Sequence, residues 1–405
     1  MKKLMLSSVL ILAMVAVSCS SDDDSPQDNG GENDFETPEN YSFTRNSTST
    51  VSFTGQSLRI KMVKEILGDF ENFDAATETS LSNMFANENS PFSNPDLNAS
   101  SKSVKSKVAA SNLYFSGNTV GSNAIKSDFE SYISEQTNVV FPNQNEVAEP
   151  GIAGQIADGN STRYVNGKGL ELDQAFNKGL IGALIADQAL NNYLTPAVLD
   201  EADNRANNDE DITEEGAAYT TMEHKWDEAY GYVYGDASVP EENPNSVLGE
   251  NEDKLLFDYI GSVDSDEDFS GIARDIFEAF KTGRAAIDAS DYEARDEQVA
   301  IIQKTISKVI AVRAVHYLQG GKQLLAEGNK GGAFHDLSEG FGFVYSLRFT
   351  HNPETGAPYI SADQVESFTS QLMEGNGFWD VSPETLDSIS SEIASAFNFT
   401  VEDTL

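Results

Sequence analysis

The chain runs to 405 residues, with 66 Asp and Glu against 26 Lys and Arg and a formal charge of −40. A field of that sign repels nucleic acid and anionic lipid surfaces and favours cations and basic partners, so nucleic acid is excluded as a partner class. The single cysteine, Cys19, excludes an internal disulfide, and a domain of this size has to stand on its apolar core.

Lys2 and Lys3 precede an apolar run from Leu4 to Val17 that is too short to cross a roughly 30 Å hydrocarbon core as a permanent helix. Small residues, Ala16-Val17-Ser18, then lead into Cys19. Residues 1–18 therefore read as a processed export signal, and Cys19 as the residue that is acylated and anchors the chain to a membrane. Ser20-Ser21-Asp22-Asp23-Asp24 and the Gly, Asn, Asp and Glu mixture up to Asn40 have nothing to bury, so residues 19–40 are expected to be a disordered acidic leash. The arrangement resembles lipoproteins of the Bacteroidetes, in which an acidic cluster behind the lipidated cysteine accompanies transfer to the outer face of the outer membrane. That resemblance implies an outer-membrane lipoprotein, on the periplasmic face or at the cell surface.

Residues 41–405 are expected to be all-α, a duplicated helical bundle with halves at 41–245 and 246–405. Tyr41 to Phe53 holds a short irregular or hairpin segment. Ser57 to Phe70 carries Leu58, Met62, Ile66 and Phe70 at steps of four, widened by Ile60, Val63 and Leu67: an amphipathic helix. Gly117 to Gly159, interrupted by Pro142, Pro150 and glycines, offers a short helix near Ala124 to Gln136 between loops. Leu170 to Leu194 is strongly apolar at helical spacing and stops at Pro196. A helix from Gly216 to Tyr232 follows, with Thr213 before Glu214 and Glu215 as its capping signal. Further helices are expected at Phe269 to Ala289, Glu293 to Leu325, Gly332 to Tyr345, from Ser361 onward, and at Pro383 to Phe399.

One internal repeat emerges. His224, Glu228, Tyr230, Gly231, Tyr232, Val233 and Tyr234 match His335, Glu339, Phe341, Gly342, Phe343, Val344 and Tyr345 in identity or aromatic character. Upstream, Ala175-Phe176 with Gly179 echoes Ala279-Phe280 with Gly283. His at i and Glu at i+4 share a helix face, and the aromatic residues adjoin that side. Two such faces can converge, so His224, Glu228, His335 and Glu339 are the candidate metal ligands, with Tyr230, Tyr234 and Tyr345 as further ligand-binding candidates. The same pairs also fit structural hydrogen bonds inside a helical core, the commoner use of such a pattern.

Enzyme signatures are sparse. A hydrolytic zinc site commonly uses His-Glu-x-x-His on one helix, and neither copy has the second histidine. Neither a nucleophile elbow, a Walker loop nor a dinucleotide fingerprint occurs. Asp264, Asp266 and Asp268 fit the start of a calcium loop, but Phe269 stands where its sharp turn needs glycine.

The stretches TPENYSFTRNSTSTVSFTGQSLRIKM, MEHKWDEAYGY and FHDLSEGFGFVYS resemble the imelysin-like lipoproteins and, more closely, domain of unknown function 4856. The imelysin resemblance implies an exported, all-helical, duplicated bundle linked to iron uptake, with a Gly-x-His-x-x-Glu signature once taken as a peptidase metal motif. Here Met222 and Ala333 occupy the glycine place, and Glu228 and Glu339 fall one residue later. The expectation is a non-enzymatic, lipid-anchored binding protein for a small ligand, iron, another divalent metal or a metal complex. The alternatives are a metallopeptidase and a structural lipoprotein that meets a surface protein partner.

Overall fold

Apolar residues at helical spacing dominate the chain, and the computed structural model, which describes residues 35–249 and 253–405, is mostly helical. The expected export signal, Cys19 and the expected leash as far as residue 34 lie outside the described residues. Phe35–Leu405 forms one compact unit. Among the described residues no helix is long and apolar enough to cross a membrane.

In chain order a first hairpin, β1 (Thr44–Arg45) and β2 (Thr48–Ser49), leads into α1 (Thr54–Phe70), α2 (Glu78–Ala86), α3 (Pro95–Ala99), α4 (Asn112–Phe115) and α5 (Thr119–Glu135). A second hairpin, β3 (Gly154–Asp158) and β4 (Ser161–Val165), precedes α6 (Leu172–Leu180), α7 (Pro196–Leu199), α8 (Asn204–Asp209) and α9 (Thr221–Tyr234). The remainder is α10 (Leu256–Asp264), α11 (Ile272–Asp288), α12 (Tyr292–Glu327), α13 (Lys330–Ser346), α14 (Ala362–Leu372) and α15 (Pro383–Ala396). The longest of these, α12, packs along α11, α13 and α15, and α13 in turn packs on α6.

The expected hairpin lies between Tyr41 and Phe53. Asn46 and Ser47 both take positive φ, which matches the right-handed strand twist in a two-residue turn. Tyr41 then folds inward, fully buried, and its ring stacks on Tyr230 at 3.5 Å. The β3–β4 hairpin stands where loops were expected. Its strands, GQIAD and STRYV, lie mostly at the surface, so no apolar alternation announced them.

Several helix starts shift by three to five residues from expectation, and two of the shifts have a visible cause. The helix expected from Gly216 begins at Thr221, because Glu214 N–H closes a turn on the Tyr219 carbonyl instead. Its cap is Thr220, whose hydroxyl accepts from Glu223 N–H while the Glu223 carboxylate accepts from Thr220 N–H at 2.6 Å. The capping signal read at Thr213 therefore belongs to the turn. Likewise α11 starts at Ile272, and the Asp264 carboxylate accepts from the N–H groups of Gly271 and Ala273 at 2.9 and 3.0 Å. That carboxylate of the calcium-like run is a helix cap.

The apolar segment Leu170 to Leu194 is helical, but after Leu180 it widens into π-helix at Ile181–Ala186 and again at Ala189–Tyr193. The Ser346 hydroxyl explains the first widening. It accepts from Gly182 N–H at 2.9 Å and donates to the Lys178 carbonyl at 2.6 Å, the two groups an α-helix would have joined directly. A side chain inserted into the i→i−4 ladder in this way distorts a helix without leaving its backbone unsatisfied.

Candidate functional site

Both copies of the repeat dock the start of another helix, and they do it alike. On α9 the Nδ1–H of His224 donates to the Ser52 carbonyl at 3.1 Å. Ser52 N–H in turn donates to Asp227 at 3.0 Å, and Gln56, on the first turn of α1, donates to Glu228 at 3.0 Å. On α13 the Nδ1–H of His335 donates to Glu171 at 2.7 Å, Glu171 N–H donates to the Ser338 hydroxyl at 2.9 Å, and Lys178 on α6 meets Glu339 at 3.1 Å. Position i+3, Asp227 or Ser338, thus receives a backbone N–H at the entry to a helix in both copies. The chemical difference between the two side chains hid that shared role in the sequence.

The glycine at i+7 lets the docked chain come close. A Cβ on Gly231 would lie 2.3 Å from the Phe53 Cβ, and one on Gly342 would lie 2.5 Å from the Lys178 Cβ. Both are far inside van der Waals contact.

The seven sequence candidates divide accordingly. His224 and Glu228 are taken up by α1, with Lys225 also paired to Glu228 at 3.0 Å. His335 and Glu339 are taken up by α6. Tyr230 is buried and donates to the Pro240 carbonyl, Tyr345 donates to Asp128 at 2.8 Å, and the buried Tyr234 hydroxyl meets no hydrogen-bond partner among the described residues. The four candidate metal ligands therefore serve two different helices, His224 and Glu228 the entry to α1, His335 the entry to α6 and Glu339 the last turn of α6. Among the described residues no group of three or more His, Cys, Asp or Glu is arranged to hold a metal ion.

Glu339 faces a cavity of about 530 Å³ walled by α1, α6, α10, α12 and α13. Its carboxylate takes the Lys178 ammonium and the Tyr259 hydroxyl, the latter at 3.3 Å. Burial pushes this carboxyl up, but Lys178 and His335, with the Tyr317 and Lys178 hydrogen bonds, outweigh burial and hold it below the usual glutamate range. Burial pushes His335 down in the same way, and the hydrogen bond and charge of Glu171 reverse that and leave it above the ordinary histidine value.

An adjoining cavity of about 430 Å³ shares Glu71, Asp173 and Gln174 with the first and extends to Gln136, Arg163, Tyr164 and Glu171. Desolvation, with the neighbouring charges of Glu171 and Glu71, pushes Asp173 up to about 7, against the pull of Lys178. Perturbed carboxyls in a cleft are a recognised mark of functional sites. Sequence reading missed the polar set on α6. Asp173, Gln174, Asn177 and Lys178 interleave the Ala-Phe-x-x-Gly pattern, whose apolar members drew the eye to packing.

The fold and cavities define a mostly helical domain with two polar cavities along one buried helix. The chain belongs to the family described as Domain of unknown function (DUF4856), whose model matches residues 38–400. No curated protein and no solved structure matches it.

Proposed function

We propose that this chain is an exported, lipid-anchored binding protein, not an enzyme, that holds a small hydrophilic ligand in the adjoining cavities beside α6. The observation that carries the reading is the Lys178–Glu339 pair, nearly closed to solvent yet lining the larger cavity beside Tyr259. A buried ion pair is weak as a source of stability, since desolvation offsets most of its attraction. A few fixed polar groups converging on a cavity of several hundred Å³ are what small-molecule sites use. Cys19 and the leash behind it support anchoring at the outer membrane, on the periplasmic face or at the cell surface.

The resemblance to imelysin-like proteins keeps iron in view. The Lys178 ammonium, 3.1 Å from Glu339, opposes a naked cation there, so the geometry favours an organic ligand or a chelated metal over a free ion.

The test is native mass spectrometry of the full chain after exposure to fractionated culture medium, with calorimetric titrations of Fe(II), Fe(III), Zn(II) and haem alongside. The expected result is a small-mass adduct that disappears in the charge-balanced Lys178→Met, Glu339→Gln double variant while helicity persists. Tight binding of a free metal ion would instead make the chain a metal carrier. No adduct from any fraction would remove the binding reading.

A further inference from the structure

A protein with a formal charge of −40 gathers four basic side chains, Arg59, Lys102, Lys107 and Lys225, in one neighbourhood beside Tyr193. The Lys107 ammonium donates to the Tyr193 hydroxyl at 3.1 Å and lies 5.3 Å from the centre of its ring. Lys225, on α9, reaches the same ring at 5.7 Å. Arg59, on α1, donates to the carbonyls of Ser103 and Gly55 at 3.0 and 3.2 Å. The Lys102 stem runs past that glycine, where a Cβ on Gly55 would stand 3.1 Å from the Lys102 Cε. The segment between α3 and α4 that carries Lys102 and Lys107 is pinned in place. Asn87 donates to the carbonyls of Leu97, Ser100 and Lys102, Lys105 N–H donates to the Phe85 carbonyl, and Val104 and Val108 are fully buried.

Little of this charge is balanced. Glu228 pairs with Lys225 at 3.0 Å, whereas among the described residues Arg59, Lys102 and Lys107 form no ion pair with a carboxylate. Lys105, in the same segment, is by contrast paired with Glu130. Arg59 is only 5% exposed, a setting in which a charge is normally paired. Four cations against one carboxylate leave an excess of three positive charges. Lys107 registers it. Burial pushes its ammonium down first and Arg59 next, with Lys225 and Lys102 adding to that against the pull of Glu228. Holding like charges together raises the energy of the folded protein, and an anion among them removes that penalty.

We propose that Lys102, Lys107 and Lys225 form a binding site for a compact phosphate, free or carried by a small organic molecule, with Arg59 adding charge from its buried position. The excess of three charges is more than a carboxylate ligand balances, and it suits a dianion. The ammonium groups are within reach of solvent, since Lys102 is exposed and Lys107 and Lys225 are half-buried. Each offers three donors on a flexible stem, the point-charge manner of holding a phosphate. The rest of the surface limits the size of the ligand. A nucleic acid or an anionic bilayer would press further negative charge against a strongly acidic protein, whereas a compact anion meets only the field within a Debye length, roughly 10 Å at 0.1 M salt. The site shares no lining residue with the two cavities beside α6 and stands independently of the reading proposed for them.

The probes are inorganic phosphate, glucose 6-phosphate, acetate and vesicles containing phosphatidic acid, titrated calorimetrically into the purified full chain at about 0.1 M salt. Both phosphates are expected to bind, with acetate at least about tenfold weaker and the vesicles not captured. Lys102→Met and Lys107→Met are each expected to weaken inorganic phosphate about tenfold, the worth of a hydrogen bond to a charged group. Lys304→Met, at an exposed position on α12 outside the cluster, changes the net charge equally and should leave the affinity as it is. Circular dichroism checks that each variant is folded, and should Lys107→Met fail, the exposed Lys102 position decides. No binding of either phosphate, acetate bound as tightly as phosphate, or equal losses in all three variants would overturn the assignment. Vesicle capture without binding of free phosphate would overturn it in favour of a membrane-facing surface. The Lys178→Met, Glu339→Gln double variant should bind phosphate as the parent does, and a loss there would move the phosphate to the cavities beside α6 and overturn the site at Tyr193.

Discussion

His335 and Glu171 meet at 2.7 Å across the junction of α13 and α6, and Glu171 is the residue immediately before the first turn of α6. One side chain thereby orients a histidine and positions a helix start beside a cavity. The corresponding histidine, His224, hydrogen-bonds a neutral backbone carbonyl, that of Ser52, and stacks on Tyr219.

That asymmetry gives different costs for the two histidines. His335→Ala strips a nearly buried carboxylate of its hydrogen-bonded partner and is expected to lower stability by about 2–3 kcal/mol, since hydrogen bonds to charged groups are the stronger kind. His224→Ala removes a bond to a neutral carbonyl and should cost about 1 kcal/mol. Urea denaturation of each variant measures both. A larger loss at His224 would contradict the account.

Ser346→Ala tests the hydroxyl inserted between Gly182 N–H and the Lys178 carbonyl. The variant strands a buried donor and a buried acceptor unless the helix retracts into regular α-form. A loss of about 1–3 kcal/mol is expected, with faster amide exchange at Gly182. Unchanged exchange there would show that the hydroxyl does not hold the widened turn.

Stability should peak in mildly acidic solution. Burial pushes Asp173, Asp227 and Asp253 up to about 7 and Asp187 up to about 6. A carboxyl raised in the folded state is more protonated there than in the unfolded chain. Its contribution is therefore complete below about pH 4 and is lost as pH rises towards 7. Asp200, held down to about 2 against burial by Arg205 and Arg295, works in the opposite sense and loses its contribution as pH falls below about 4. The melting temperature is expected to be highest near about pH 4 and to fall towards pH 7.5. In Asp173→Asn the decline between pH 5 and 7.5 should be shallower. A melting temperature that climbs steadily to pH 7.5 would refute this balance.

The proposed anchoring rests on one residue, Cys19. Cys19→Ala should leave the chain unlabelled by radioactive palmitate and release it from membranes, whereas the parent should label and sediment with them. Palmitate-free parent protein, or a variant that still sediments, would remove the lipoprotein reading.

The helices and their partners became legible by different routes. Apolar periodicity located α1, α12 and α13 to within a few residues, because a helix face is set by side chains three and four apart, and Ser361 with Gln364 capped α14 by contacts just as local. The short hairpin after Tyr41 followed for the same reason. The β3–β4 hairpin escaped because its strands carry little apolar alternation, and α2, α3, α4, α7, α8 and α10 escaped because nine residues or fewer give a weak period.

For the candidate site the division is sharper. Sequence alone determined that two helices repeat His and Glu at i and i+4, with aromatics and a glycine beyond, and that such a pattern puts them on one face. Which chain segment that face would meet depended on residues far away in sequence, Ser52 and Gln56 for one copy, Glu171 and Lys178 for the other. The tertiary structure decided that meeting, because docking a helix start needs a backbone N–H, a carbonyl and a close approach supplied from another part of the chain.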